Sequence, residues 1–561
     1  MRTVRITITA VVIGVVLCGI AVWRLQLRTK ADTVSATFVA QGPAGIAITG
    51  VGNAGGAVKA IVPHPTKANI AWIGTIAGGV WKTCNATDAS PTWKPLTDHM
   101  PSLSIGALEL DPTDASSQTL VAGLGHWSSF LAGPGGPLVG VLRTTDGGTT
   151  WSALGSDYLK DENLSGVAPR GSVIVLTSKD GKGGVWRSTD TGATFQRLSG
   201  DGLSGLPVGD SYDLQGDPSN PDRLYAAIKG PGGGVFRSDN AGAHWQPLGG
   251  ADFGGAAASP ITTSANNMKL AVHGGDSSGA GAVYAAVVVS SELAGLFRST
   301  DYGAHWTAVD LPSTVEGSEV FGLHPGHQGR VHLSIVADPD DTNVIYLGGD
   351  HAPEGEGGGR LFRCDTGKPS GSQCEVMTGA DTVDDSSPHP DSRDMVFDAN
   401  HEILEADDGG VSRRTLPKQS GGVWLWISGN LGAAETHSCA YDHAFDIVIC
   451  GTQDNGTAQQ PSPGAQGWEL VGLFDGGVVS VYDRSEPSTR YYSSHALAPF
   501  YREICMAGNI CTPQNPTLIV NGSGGQKLTD LETVAIYPPI AANEVSPQGL
   551  LIAASSIPFT S

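Results

Sequence analysis

Four stretches of this 561-residue chain set a carboxylate or amide beside a hydroxyl, a glycine and an aromatic ring. They are "RTTDGGTTW" from Arg143, "RSTDTGATF" from Arg187, "RSDNAGAHW" from Arg237 and "RSTDYGAHW" from Arg298. A recurring Asp could be a recurring acid. Asn240 in the third copy argues against that, because an amide braces a turn but does not easily do a carboxylate's proton chemistry. Asp-x-Gly between two strands is a turn. The side-chain oxygen accepts from backbone N–H groups, the glycine takes a conformation other residues resist, and the aromatic packs on the sheet. Asp146, Asp190, Asn240 and Asp301 are therefore expected to be structural.

Each turn belongs to a longer unit. A strand and a Pro turn open it ("LQGDPSNPDRLYAAI"), a Gly-rich loop follows, then a Gly-aliphatic-aromatic-Arg strand ("GGVFRS"), the turn, and a last strand. Four short strands over roughly 45–65 residues is the size of a propeller blade, and radial stacking protects edges that an open array would expose. Units centre on Trp81, Leu142, Trp186, Phe236, Phe297, Phe362 and Val411, which makes seven. "LFDGGVVSVYD" near Gly476 is an eighth unit or the completion of the ring. The expectation is an all-β fold: a seven-bladed or eight-bladed β-propeller over 31–490, with 491–561 as a closing segment or the start of an incomplete second propeller.

With strands named a to d, the Asp turns join c to d, so the b–c and d–a loops emerge on the opposite face. Function concentrates in loops held by a rigid scaffold. Those loops hold His126 and Trp127; Asp350, His351, Glu354 and Glu356; Asp407 and Asp408; Asp454; Asp384, Asp385, His389, Asp391, Arg393 and Asp394; and Glu435 with His437. Glycoside hydrolysis needs two carboxylates flanking the bond, one as acid and one as base or nucleophile. Asp391, Asp408 and Asp454 are the catalytic candidates. His126, Trp127, Asp350, His351, His389, Arg393, Glu435 and His437 are the ligand-binding candidates. A solvated acidic rim is the plainer reading of the same residues. Clustered carboxylates also suit Ca2+, and His with Asp suits a transition metal, but no segment has EF-hand spacing. No cofactor is identified.

Composition fits this picture. There are 78 glycines and 34 prolines, and only 16% of residues are charged, which favours short strands and tight turns over long helices. Ile6–Trp23 is an uncharged run of eighteen residues flanked by Arg2, Arg5, Arg24, Arg28 and Lys30. It reads as a signal anchor, or as a signal peptide if cleaved near Val34–Ala36, and so implies a membrane partner. Basic residues on both flanks leave its orientation open. Beyond residue 30 the chain has 28 basic against 55 acidic residues, a poor partner for nucleic acid. Six of eight cysteines fall in close pairs, Cys364/Cys374, Cys439/Cys450 and Cys505/Cys511, which suggests hairpin or loop disulfides in a body outside the cytoplasm. Cys84 has no obvious partner.

Thr144-Thr-Asp146-Gly-Gly148-Thr-Thr150-Trp151 resembles the Asp-box, or BNR, repeat, and Ser188–Phe195 resembles it with Phe for Trp. The repeat occurs in sialidases, xyloglucan-active glycoside hydrolases with tandem seven-bladed propellers, sortilin-type receptors and a photosystem assembly factor. The resemblance covers about 42–483 and implies a fold more than a function. The sialidase Arg-Ile-Pro motif is absent, which speaks against that activity. Xyloglucan hydrolases carry a catalytic Asp in Thr-Asp-Ile-Gly-Gly; here the stretch is Thr75-Ile76-Ala77-Gly78-Gly79, with Ile76 at the Asp position. The expected function is therefore binding of a glycan, peptide or protein at the loop mouth. A glycoside hydrolase-like enzyme with paired carboxylates there is the alternative.

Overall fold

The computed structural model describes residues 39–560 apart from internal stretches, the longest being 250–263 and 515–536. The apolar N-terminal run, Glu354 and Glu356 lie outside the described residues. Among the described residues, no helix is long and apolar enough to cross a membrane.

Seven four-stranded antiparallel sheets follow one another, at 58–95, 105–154, 163–197, 211–247, 265–308, 334–376 and 394–426. The second strands are buried on both faces, as in Val173–Lys179 (VIVLTSK) and Val344–His351 (VIYLGGDH). Sheets stack face to face, so these strands read as nearly continuous apolar runs rather than alternating ones. The apolar core lies between neighbouring sheets: Tyr225 and Val235 of the fourth pack with Met268, Leu270 and Val283 of the fifth.

The seventh sheet packs back on the first. Val58, Ile61, Ala71 and Ile73 share a core with Leu404, Ala406 and Val411. The Trp93 indole N–H donates to the Ile427 carbonyl at 3.0 Å, and the Ile61 N–H donates to Asp394 Oδ2 at 3.0 Å. The innermost strands thus form a closed circuit of neighbours.

A further sheet holds 436–472 and takes in the hairpin of β1 (Ile46–Ile48) and β2 (Gly52–Ala54), with Ile46 opposite Trp468 in a parallel pair. A four-stranded sheet at 479–514 and a three-stranded one at 540–560 follow. The "LFDGGVVSVYD" stretch, expected as an eighth unit or ring completion, instead opens the 479–514 sheet, because the first and seventh sheets already meet. The strands of 436–482 likewise pair among the later sheets. Cys364–Cys374, Cys439–Cys450 and Cys505–Cys511 are disulfides between directly paired strands, and Cys84 is free and exposed.

The four Asp or Asn turns share one hydrogen-bond pattern. Asp146 Oδ1 accepts from the Thr150 N–H at 2.9 Å and the Thr144 hydroxyl at 2.8 Å; Asp190, Asn240 and Asp301 do the same with their own neighbours. The Thr150 hydroxyl and N–H hold the Asp146 carboxyl down at about 2. Gly192, at φ 92°, takes the left-handed conformation this turn requires.

Candidate functional site

The loops that the repeat directs to one face do converge, but mostly on one another. Arg393 immediately precedes the first strand of the seventh sheet, and Asp408 sits in the tight turn between Ile403–Asp407 and Gly410–Arg414. Gly409 is needed in that turn, because a Cβ there would run into the His389 ring. The turn aims both Asp408 oxygens at the Arg393 guanidinium, which binds them through Nε and Nη2, the latter at 2.9 Å. Arg393 Nη1 donates to the Trp127 carbonyl at 2.7 Å. His332 lies on the other side, with Nδ1 2.8 Å from Asp391 Oδ1 and Nε2 3.4 Å from Asp408 Oδ2. All four side chains are buried.

Burial opposes the charge on His332, but Asp391 and Asp408 outweigh it and hold its pKa at about 9. Burial likewise opposes the Asp408 charge, yet Arg393 and His332 keep its carboxyl well below the ordinary range. Asp391 and Asp408, expected as catalytic carboxylates, and Arg393, expected as a ligand contact, are thus parts of a buried ion network. The three ligand atoms on His332, Asp391 and Asp408 lie within 4.8 Å of one another, a metal-like spacing. A cation does not fit there, because the guanidinium already holds both Asp408 oxygens and would repel it.

Asp454 differs. It has a left-handed backbone (φ 57°) in the loop between Ile447–Thr452 and Thr457–Gln459, and its side chain remains partly exposed. Its N–H donates to Asp475 Oδ1 at 2.6 Å, and its Oδ1 accepts from Gln453 Nε2 at 2.9 Å. The Ser129 hydroxyl contacts both Asp454 Oδ2, at 2.9 Å, and Asp408 Oδ2, at 3.3 Å. Burial first, then Asp408, Asp391 and Asp475, push the Asp454 carboxyl well above its usual range. The two neighbouring carboxyls are thus pushed in opposite directions, Asp454 up and Asp408 down. Asp408 is fully buried behind Asp454 and held by Arg393, so of the two only Asp454 has exposure to meet a ligand.

Three rings stand beside Asp454. Phe130, His437 and Tyr537 lie 4.9, 5.3 and 4.3 Å apart by ring centroids, and His437 Nε2 sits 2.9 Å from Gln453 Oε1. Glu435, partly buried near Arg393, is pushed up by burial and accepts from Ser128. Of the residues expected at the mouth, Asp454, Glu435 and His437 are the ones brought together with some exposure.

The other expectations change. Trp127 is buried, its indole N–H donates to the Leu164 carbonyl at 2.9 Å, and its ring faces the Lys59 and Lys179 ammoniums at 4.6 and 3.9 Å. It is a packed cation–π partner and not a sugar platform. His389 is buried against Trp426 with Nδ1 3.1 Å from the Pro390 carbonyl. Asp350 is fully buried and accepts the Gln328 N–H at 3.1 Å. His126 and His351 are tied by their rings to the carbonyls of Gly136 and Ala352, each at 2.7 Å. Ile76 is 1% exposed and packs with Ala57 and Trp127, so the position is sealed by apolar contact.

His332, Ser129, Phe130, Asp475 and Tyr537 were not singled out from the sequence. His332 in "GRVHLS" and Asp475 in "LFDGG" carry no spacing that marks them; only the folded loops bring them in.

No family model matches the chain. Curated relatives include a xyloglucanase of Hypocrea jecorina, 29% identical over 180 residues, covering 30% of this chain and 20% of that protein. A xyloglucanase of a Paenibacillus species is 25% identical over 275 residues, covering 47% of this chain and 22% of the relative. The matches thus span about a fifth of the length of these relatives. Among solved structures, an ancestral GH74 enzyme superposes with a TM-score of 0.60 at 16% identity, over 91% of this chain and 67% of its own. The GH74 enzyme of Niastella koreensis gives 0.58 at 15% identity, over 92% and 73%. The chain is similar in fold to these enzymes.

Proposed function

We propose that this chain is an extracytoplasmic, glycoside hydrolase-like propeller protein that engages a β-glucan of the xyloglucan class beside Asp454. In this reading, the seven sheets of 58–426 form one seven-bladed propeller with Asp-box turns, and the sheets after Thr436 begin a second. The glycan lies where the two series meet, against Phe130, His437 and Tyr537. The carrying observation is the placement of Asp454, partly exposed on its loop, bonded to Ser129 and Asp475 and close to the Phe130, His437 and Tyr537 rings. Burial and the nearby carboxylates raise its pKa, the direction that suits a general acid for a glycosidic oxygen. Arg393 and His332 hold Asp408 ionised behind it, so the proton stays on Asp454 and not on Asp408. The substrate class comes from the relatives named above.

A second reading, glycan binding without turnover, has one specific support. The position that carries a catalytic Asp in the xyloglucan hydrolases holds the buried Ile76. Asp475 and Glu435 are the remaining carboxylates near Asp454 that could act as base. Activity on xyloglucan and a panel of β-glucans, measured for wild type and Asp454→Asn, separates the readings. Release of reducing ends by wild type and loss of at least about 100-fold in the variant is the hydrolase outcome. Glycan binding by both proteins, with no turnover by either, is the binding outcome.

A further inference from the structure

The ring of inner strands encloses a cavity of about 420 Å³, separate from the Asp454 site, open near Pro63, Pro112 and Pro218 and ending at Lys59 and Lys269. Its lower wall is apolar, with Val62, Leu108 and Leu214. Each carboxylate at its inner end already has donors. Asp213 accepts from Lys269 Nζ at 3.2 Å and from the Leu270 N–H at 2.8 Å. Asp394 accepts the Ile61 and Met395 N–H groups, each at 3.0 Å. Arg393, at the same end, donates three hydrogen bonds, two to Asp408 and one to the Trp127 carbonyl.

Lys59 is left over. It is 5% exposed, lines the cavity, and among the described residues its ammonium has neither a carboxylate nor a hydrogen-bond acceptor at contact distance; it stands over the Trp127 ring. A buried ammonium without an acceptor is costly, and a cation–π contact replaces only part of its hydration. Lys269, Arg393 and Lys179 add positive potential around it, with Asp394 as the opposing charge. From the cavity and this unmatched donor, we infer that the centre of the ring is a binding site for a small oxyanion, held by Lys59 with Lys269 beside it. Burial, followed by Lys269 and Arg393, pulls the free Lys59 amine well below its ordinary range. An arriving oxyanion stabilises the ammonium form.

The test uses full-length protein and inorganic phosphate, bicarbonate and acetate in parallel titration calorimetry. At least one of the three is expected to bind one-to-one. Lys59→Met should weaken that binding at least tenfold, while Lys67→Met, at an exposed position, should leave it unchanged. Selenate soaked into wild-type crystals should give an anomalous peak at hydrogen-bond distance from Lys59 Nζ, a readout that does not depend on the variant folding. Binding of none of the three anions, equal binding by Lys59→Met, or no selenate beside Lys59 would overturn the site.

Discussion

At the scale of single residues, the site turns on two aspartates that contact one hydroxyl and behave oppositely. Asp408 is locked by Arg393, whereas burial and the neighbouring carboxylates push the Asp454 carboxyl up. Their substitutions should separate accordingly. Asp408→Asn leaves the Arg393 guanidinium buried with one partner oxygen lost, and breaking a buried pair costs about 3–5 kcal/mol. Urea unfolding should show that loss in the denaturation midpoint. Asp454→Asn keeps the hydrogen bond to Ser129 and removes a carboxyl crowded by like charges, so stability should hold or rise while any turnover falls. A variant Asp408→Asn that unfolds like wild type would show that the ion network contributes little.

At the scale of elements, the turns offer a cleaner experiment. Asp146 accepts from two groups of Thr150 and from Thr144, all within one turn. Removing them with Asp146→Ala should cost about 1–3 kcal/mol, since each net hydrogen bond contributes roughly 0.5–1.5 kcal/mol. Asn240→Asp should change stability by less than about 0.5 kcal/mol, because an Asp already fills the same bonds at three sister turns. Thermal unfolding of the two variants beside wild type decides this; a large effect of Asn240→Asp would mean that the turns are not equivalent. The same turns explain what was legible in the sequence. A repeated turn and a repeated glycine-flanked strand are local patterns, so strand order, sheet size and the face holding the loops could be read directly. Hairpin disulfides were legible for the same reason, since Cys439 and Cys450 are direct partners across one turn. The site was only partly legible, because its contacts are not local. Ser129 meets Asp408 and Asp454 across 279 and 325 residues, and Trp93 bonds Asn430 across 337. Loop composition could place carboxylates at one mouth. It could not show that Arg393 would neutralise one of them, or that Trp127 would turn inward to meet two lysines.

For the whole molecule, the buried ionisable groups set a preferred pH. Asp407 is raised to about 6, mainly by burial, and the adjacent Glu405 is raised well above its usual range by burial and by Asp407. A carboxyl with a raised folded pKa contributes stability that is complete below about 4, its unfolded value, and is lost as pH climbs through the folded one. His332 acts in the same direction: its contribution is complete below about 6.5 and is lost as pH rises through about 9. The turn carboxyls of Asp146 and Asp190, held near 2 by their turn hydrogen bonds, act oppositely and lose their contribution as pH falls below about 4. The two trends cross between about 4 and 6, so stability should peak there and decline steadily toward pH 9. The chain's formal net charge of −22 at pH 7 adds self-repulsion on the alkaline side. Calorimetric melting of the full chain at pH 5, 7 and 9 measures the decline. Glu405→Gln supplies the internal control, because it removes the like-charge neighbour of Asp407 while keeping its shape. It should raise the melting midpoint at pH 8 and leave it unchanged at pH 4, where both carboxyls are already protonated. A midpoint that rises from pH 5 to pH 9, or a Glu405→Gln gain of equal size at pH 4 and pH 8, would mean that these buried carboxyls do not govern the acid preference of the fold.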